Sequence, residues 1–318
     1  MLDSAEERLV RISKMAYLYY IERKNQVEVA ETMGLARTMV SRQLKEAEES
    51  GLVQIRVEYP VRSSRLERLF SERFDLAEPR IYLINEENSS AVKRLIGLAA
   101  ARYLAPTARR IALSWGSTLF EMIKNLEPRA DSGGEVIQLI GATGREHNPN
   151  DGPLIARALA ERLNARLYLL HAPLVVESAL VAKALMKDKV VRATLDRASA
   201  ADIAFVGIGS LEREKNSLFH AGYLSEEELN RIKTAGGVGD ICAQFVDAKG
   251  KLLDIDINRR IIGLPLAELA HIPKVVAVAH GPEKVKGILS ALRGRHIKGL
   301  ITDHRTAELV LALDTVGK

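Results

Sequence analysis

Cysteine is almost absent from this chain of 318 residues: Cys242 stands alone, which excludes an intramolecular disulfide framework and fits a reducing compartment. With one cysteine, and seven histidines that form neither HExxH nor a close pair, a structural zinc site is not expected, and no other metal is called for. No run of about 18 apolar residues occurs, which argues against a transmembrane helix. The opening MLDSAEERLV carries acids and lacks the apolar stretch of a secretory signal, so a cytoplasmic protein is expected. GxxxxGK[ST] is missing, which disfavours a P-loop nucleotide enzyme. The segment Gly207–Ser210 is not GxGxxG, so a nicotinamide cofactor has little support and no cofactor is expected. Tryptophan is scarce too: Trp115 is the only one, placed either to stack on a ligand or to fill the core.

What remains is 47% hydrophobic and 27% charged, the balance of a globular protein, at a length that suggests a large domain with a small one, or two medium domains. The net charge of +5 invites a nucleic-acid reading, yet residues 1–62 hold ten Lys/Arg and ten Asp/Glu, so the excess lies in residues 63–318. Phosphate neutralisation needs cations where the contact is made, so local arrangement outweighs the total. Arg37, Arg42 and Lys45 sit together with no acid between residues 32 and 45, and Glu46, Glu48 and Glu49 follow.

That cluster lies in Asn25 to Leu52, NQVEVAETMGLARTMVSRQLKEAEESGL, which reads as two short helices around a tight turn. Asn25 suits the N-cap of a helix over 26–33, Gly34 the turn, and Gly51 the end of the next helix. In that next helix Thr38, Ser41, Arg42 and Lys45 share one face at i, i+3, i+4 and i+7, while Val40, Leu44 and Ala47 repeat the spacing on the opposite side. An apolar back anchors such a helix to its domain, and a front of hydroxyls and cations, with Arg37 at its start, suits the major groove of double-stranded DNA. A preceding helix is expected over 5–22, with Leu9, Ile12, Ala16 and Tyr19 on its apolar side, and a short strand over 52–60 closed by Pro60. These complete a helix-turn-helix module, residues 1–60. A linker region, 61–78, holds an amphipathic helix with Leu66, Leu69, Phe70 and Phe74 on one stripe, which packs either on a symmetry mate or on the next domain.

From residue 79 the pattern changes. Short β-rich runs recur at 80–84, 110–114, 135–140, 166–170, 203–209, 275–279 and 299–302, with helical stretches such as 91–104 and 152–164 between most of them. Alternation of this kind predicts a Rossmann-like α/β domain over 79–318, its parallel sheet covered on both faces. Ligands of such sheets bind beyond the carboxyl ends of strands, where glycine loops lead into helices. Four places fit. Ser114-Trp115-Gly116-Ser117-Thr118 suits a phosphate, or is an ordinary turn capped by Ser117. Gly141-Ala142-Thr143-Gly144, with Asn148, Asn150 and Asp151 beyond, suits a hydroxyl-rich ligand or simple turn chemistry. Gly207–Ser210 and the glycine-rich loop Gly236–Asp240 complete the set, with Asp240 either binding sugar hydroxyls or capping backbone.

Taken together, MAYLYYIERKNQVEVAETMGLARTMVSRQLKEAEESGLVQIRV, IALSWGSTL, VGIGSL, AGYL, GGVGDICAQFVDAKG, INRRIIGLPLAEL and GILSALRGRHIKGLITDHRTAELVL, in this order, resemble the SorC family of sugar-responsive bacterial transcriptional regulators over nearly the whole length. The resemblance implies an N-terminal DNA-binding domain and an effector domain of the sugar-phosphate isomerase type that serves as a sensor. It further implies a phosphorylated sugar as effector and a homo-oligomer, dimer or tetramer. By position it implies a phosphate loop of Gly116, Ser117 and Thr118, with Gly141, Thr143 and Asn148 or Asn150 lining the site. Asp240 and Lys284 would close it. AHGPEK, with His280, stands where a glycine-rich sequence is common in the family, and Asn258-Arg259-Arg260 either binds ligand or packs a loop. The competing reading is a sugar-phosphate isomerase or deaminase with an accessory helix-turn-helix, using Asp240 and a nearby histidine as acid and base. No pair of positioned catalytic groups is apparent, so a regulator without catalytic residues is expected.

Overall fold

A computed structural model describes residues 4–54, 59–104, 108–129, 133–144 and 150–316. The chain divides into two compact units, Met1–Tyr59 and Pro60–Lys318. Among the described residues no helix is long and apolar enough to cross a membrane.

The first unit is helical. Helix α1 (Ser4–Ala16) runs on into a π-helical turn at Tyr17–Ile21, followed by α2 (Gln26–Met33) and α3 (Arg37–Glu49). Asn25 caps α2 as expected: its Oδ1 accepts from the N–H groups of Val27 and Glu28 at 2.9 and 3.1 Å, and Glu28 accepts from the Asn25 N–H at 2.8 Å. That reciprocal pair satisfies donors the first helical turn would otherwise leave open. The core is Ile12, Met15, Leu18, Val29, Val40, Leu44 and Ala47 with neighbouring alanines. Leu9 stays exposed, so the buried stripe of α1 starts at Ile12. The strand expected over 52–60 centres on residues 55–58, which lie outside the described residues.

The second unit is built on a mixed sheet. Its strands are β1 (Val61–Arg62), β2 (Glu78–Leu83), β3 (Arg110–Leu113), β4 (Glu135–Gln138), β5 (Arg166–Tyr168), β6 (Ile203–Val206), β7 (Ile208–Gly209), β8 (Gly237–Ile241), β9 (Gln244–Asp247), β10 (Lys274–Val278) and β11 (Gly299–Asp303). Eight of them form one sheet in the order β1-β2-β11-β10-β6-β3-β4-β5, parallel except for β1 against β2. Its central strands are buried on both faces and read as unbroken apolar runs, IAFV in β6 and VVAV in β10, because helices cover both sides. The amphipathic helix α4 (Ser64–Phe74) buries Leu66 and Phe70 in this same core, so its stripe packs within the second unit.

Two expectations change. The run 203–209 is two strands in different sheets, split at Gly207, and the glycine-rich loop at 236–240 is strand β8 of a small antiparallel sheet, β7-β8-β9. Glycine is used there for proximity: a β-carbon on Gly239 would fall 2.9 Å from both the Gly209 carbonyl oxygen and the Gly287 Cα. From β3 the chain moves outward through β4 to β5, and from β6 it moves the other way through β10 to β11. The crevice between β3 and β6 is therefore the switch point of the sheet, where ligands of open α/β sheets are bound.

Candidate functional site

A cavity of about 310 Å³ opens at that switch point. Three of the four glycine-bearing places meet in it: Ser114–Thr118 after β3, Gly207–Gly209 after β6, and Asp240 of β8, joined by Lys284. Gly116 has φ 126° and ψ 158°, a region open in practice only to glycine, and it turns the chain from β3 into helix α6 (Ser117–Lys124). Ser117 is the first residue of that helix and not its cap; no side chain caps α6 at all. The first backbone N–H groups of α6 thus face the cavity together with the Ser117 and Thr118 hydroxyls, an arrangement that suits an anion.

Asp240 forms another wall. Its carboxylate lies so close to Gly209 that a β-carbon there would fall 1.7 Å from Oδ1. Oδ2 accepts the Ala243 N–H at 3.2 Å. Burial pushes the Asp240 carboxyl up to about 6, against the opposing pull of that N–H and of the Lys284 charge. Lys284 stands just ahead of the helix Val285–Arg293, and burial is the main cause that lowers its ammonium below the ordinary lysine value. His280, 4% exposed, is pushed down to about 4, first by burial and then by the Lys284 charge, so it is neutral near pH 7. Cys242, at the tip of the β8–β9 turn, is buried and its thiol is raised to about 12, mainly by burial. Trp115 is both a core residue and a wall of the cavity.

The fourth glycine place lies elsewhere. Gly141 serves a close approach, since a β-carbon there would fall 2.4 Å from the Pro173 carbonyl oxygen. Thr143 is buried, its N–H donating to Asp151 at 2.9 Å and its carbonyl accepting from the Tyr223 hydroxyl at 2.6 Å. Neither lines the cavity, and Asn148 lies outside the described residues. Asn258 holds a loop: it accepts the Phe245 N–H at 2.8 Å and donates to the Phe245 and Leu253 carbonyls at 2.9 and 2.8 Å. Arg259 pairs with Asp254 at 2.6 Å, and Arg260 with Asp256 at 2.8 Å. Sequence reasoning missed Lys93, Lys215 and His220, which also line the cavity. Lys93 follows Ser89 by one helical turn and both line the cavity, but nothing in that spacing alone marks a ligand site.

In the first unit, Arg37, Thr38, Ser41, Arg42 and Lys45 are all exposed on α3, while Val40, Gln43, Leu44 and Ala47 are buried. Lys45 pairs with Glu49 at 3.5 Å across solvent, a contact worth little. Two of the three acids of the second half are drawn back onto α1 and its continuation: Glu46 accepts from Arg8 at 2.7 Å, and Glu48 from the Tyr20 hydroxyl. The first half of α3 is left with an exposed, cationic face.

Residues 59–312 match the model of the sugar-binding domain family. The chain is 32% identical to the sorbitol operon regulator of Klebsiella pneumoniae over 320 residues, 98% of this chain and 100% of that protein. It is 31% identical to the deoxyribonucleoside regulator of Bacillus subtilis (strain 168) over 300 residues, 93% of this chain and 95% of that one. The crystal structure of full-length SorC, the sorbitol operon regulator from Klebsiella pneumoniae, superposes with a TM-score of 0.78 at 29% identity, covering 97% of this chain and 100% of that structure. The chain belongs to the SorC family of sugar-responsive transcriptional regulators. These relatives are regulators and not enzymes, which sets aside the isomerase or deaminase reading of the second unit. A SorC-family regulator works between two partners, DNA and a sugar effector.

Proposed function

We propose that this SorC-family protein is a cytoplasmic switch that couples a phosphorylated sugar, bound at the β3–β6 crevice, to operator binding by α3. The observation that carries the effector half is the uncapped start of α6 behind Gly116, opening into a cavity that also holds Lys284 and Asp240. The phosphate lies on the N–H groups of Gly116, Ser117 and Thr118, where hydrogen-bond donors and the helix dipole both favour negative charge. Lys284 supplies a cation, and Asp240 accepts sugar hydroxyls. Two relatives named for sorbitol and for deoxyribonucleosides support a small polyol or sugar.

At the DNA end, Thr38, Ser41 and Arg42 reach base edges, with Arg37 and Lys45 on flanking phosphates. Paired half-sites require at least a dimer of the chain, and a tetramer serves two such pairs. The effector acts by changing the arrangement of paired DNA-binding units and so the affinity for a fixed half-site spacing. A thermal-shift screen of sugars and polyols, each with and without phosphate, tests the effector half. Ligand that binds only the folded chain raises its apparent stability by mass action, so one or more phosphorylated members are expected to raise Tm where their parent sugars do not. A response confined to unphosphorylated sugars contradicts the phosphate loop.

A further inference from the structure

We propose that Lys93 is the charge partner of the anionic group held at the start of α6, and so a ligand-binding residue of the cavity. The proposal rests on the phosphorylated-sugar reading above and adds a specific cation to it. Helix α5 (Ser89–Tyr103) follows β2 and α6 follows β3, two strands that run parallel within one sheet, so both helices begin at the same, carboxyl end of the sheet. They meet at Gly97: a β-carbon there would lie 2.6 Å from the Glu121 Cβ and 2.9 Å from the Met122 nitrogen. One turn back from Gly97 is Lys93, and one turn back from Glu121 and Met122 are Ser117 and Thr118. The close crossing therefore sets Lys93 beside the first turn of α6, and Lys93, Ser117 and Thr118 all line the cavity.

Lys93 shares the cavity with Lys215 and Lys284 and with the carboxylates of Glu214, Asp240 and Glu283. Among the described residues no carboxylate forms an ion pair with it. It lies close enough to His280 and Lys284 that its charge opposes protonation of both. An ammonium without an ion-pair partner, set beside an uncapped helix start, is stabilised by an incoming anion.

The test uses full-length protein and millimolar inorganic phosphate as the probe, with sodium chloride at matched ionic strength as control. Wild type is expected to show a phosphate-dependent rise in Tm. In Lys93→Met the apparent phosphate affinity falls about tenfold or more, as loss of a charge-assisted contact predicts, while Lys93→Arg retains most of it. In chloride alone Lys93→Met melts at or above the wild-type Tm, because it removes like-charge repulsion; a packing role would lower it. A Lys93→Met protein with wild-type phosphate affinity, or one destabilised in chloride, overturns the Lys93 assignment and leaves the phosphate loop standing. A wild type that does not respond to phosphate at all overturns both.

Discussion

At the scale of single residues the cavity is built by side chains that are absent as much as by those present. Gly209 is bare because Asp240 occupies the space a β-carbon needs, so Gly209→Ala must push the carboxylate or the strand aside. Overpacking of this kind costs about 1–3 kcal/mol, and effector binding measured by calorimetry should be lost together with that stability. Two titrating groups in the same cavity give a pH test with opposite signs. Asp240 is held at about 6 against an ordinary 3.8, so between those values the folded chain keeps a proton that the unfolded chain releases, and stability falls as pH rises. His280 is held at about 4 against an ordinary 6.5, so there the unfolded chain binds the extra proton, and stability rises with pH. In wild type the two offset each other. Between pH 4 and 6, Tm is expected to climb with pH more steeply than wild type in Asp240→Asn, which loses the carboxyl effect, and less steeply than wild type in His280→Gln, which loses the histidine effect. Profiles parallel to wild type in both variants would contradict this account of the cavity.

At the scale of elements, the face of α3 was legible before any coordinates, because a 3.6-residue period sorts Thr38, Ser41, Arg42 and Lys45 away from Val40, Leu44 and Ala47 with no help from tertiary structure. Strands β6, β10 and β11 were legible for a similar reason: an apolar run buried on both faces needs no partner to be recognised. Strand β8 was not, since its glycines look like a loop until Gly209 and Gly287, distant in sequence, come within contact of Gly239. Lys93 was illegible for the same kind of reason; its place beside Ser117 is set by the α5–α6 crossing and by nothing local. Two element-level predictions follow from the first unit. Asn25→Ala removes the cap of α2 and should destabilise that unit by about 1 kcal/mol, visible as an earlier, local loss of amide-exchange protection in α2 and α3. Arg42→Ala should weaken operator binding by about 1–3 kcal/mol if Arg42 reads a base; Lys45→Ala, on a phosphate, should weaken all sequences alike and reduce the salt slope by about 1. Equal effects of Arg42→Ala on operator and random duplex would move Arg42 from base reading to backbone contact.

At the scale of the whole molecule, the second unit provides a sugar-binding sensor, and the first provides an exposed helix whose cations are concentrated in its first half. An effector shifts such a system only by the difference in its affinity for the two states, typically 1–3 kcal/mol, or about 5–150-fold in operator affinity. The most direct measurement is operator binding by fluorescence anisotropy on the DNA flanking the protein's own gene. It is titrated with the phosphorylated sugar that raises Tm most, and in parallel with the same sugar lacking its phosphate. Salt-dependent, sequence-specific binding that shifts by about 5–150-fold with the phosphorylated ligand alone is the predicted result. Operator affinity unchanged by a ligand that demonstrably binds, or shifted equally by the unphosphorylated sugar, would contradict the coupling of a phosphate-reading cavity to α3.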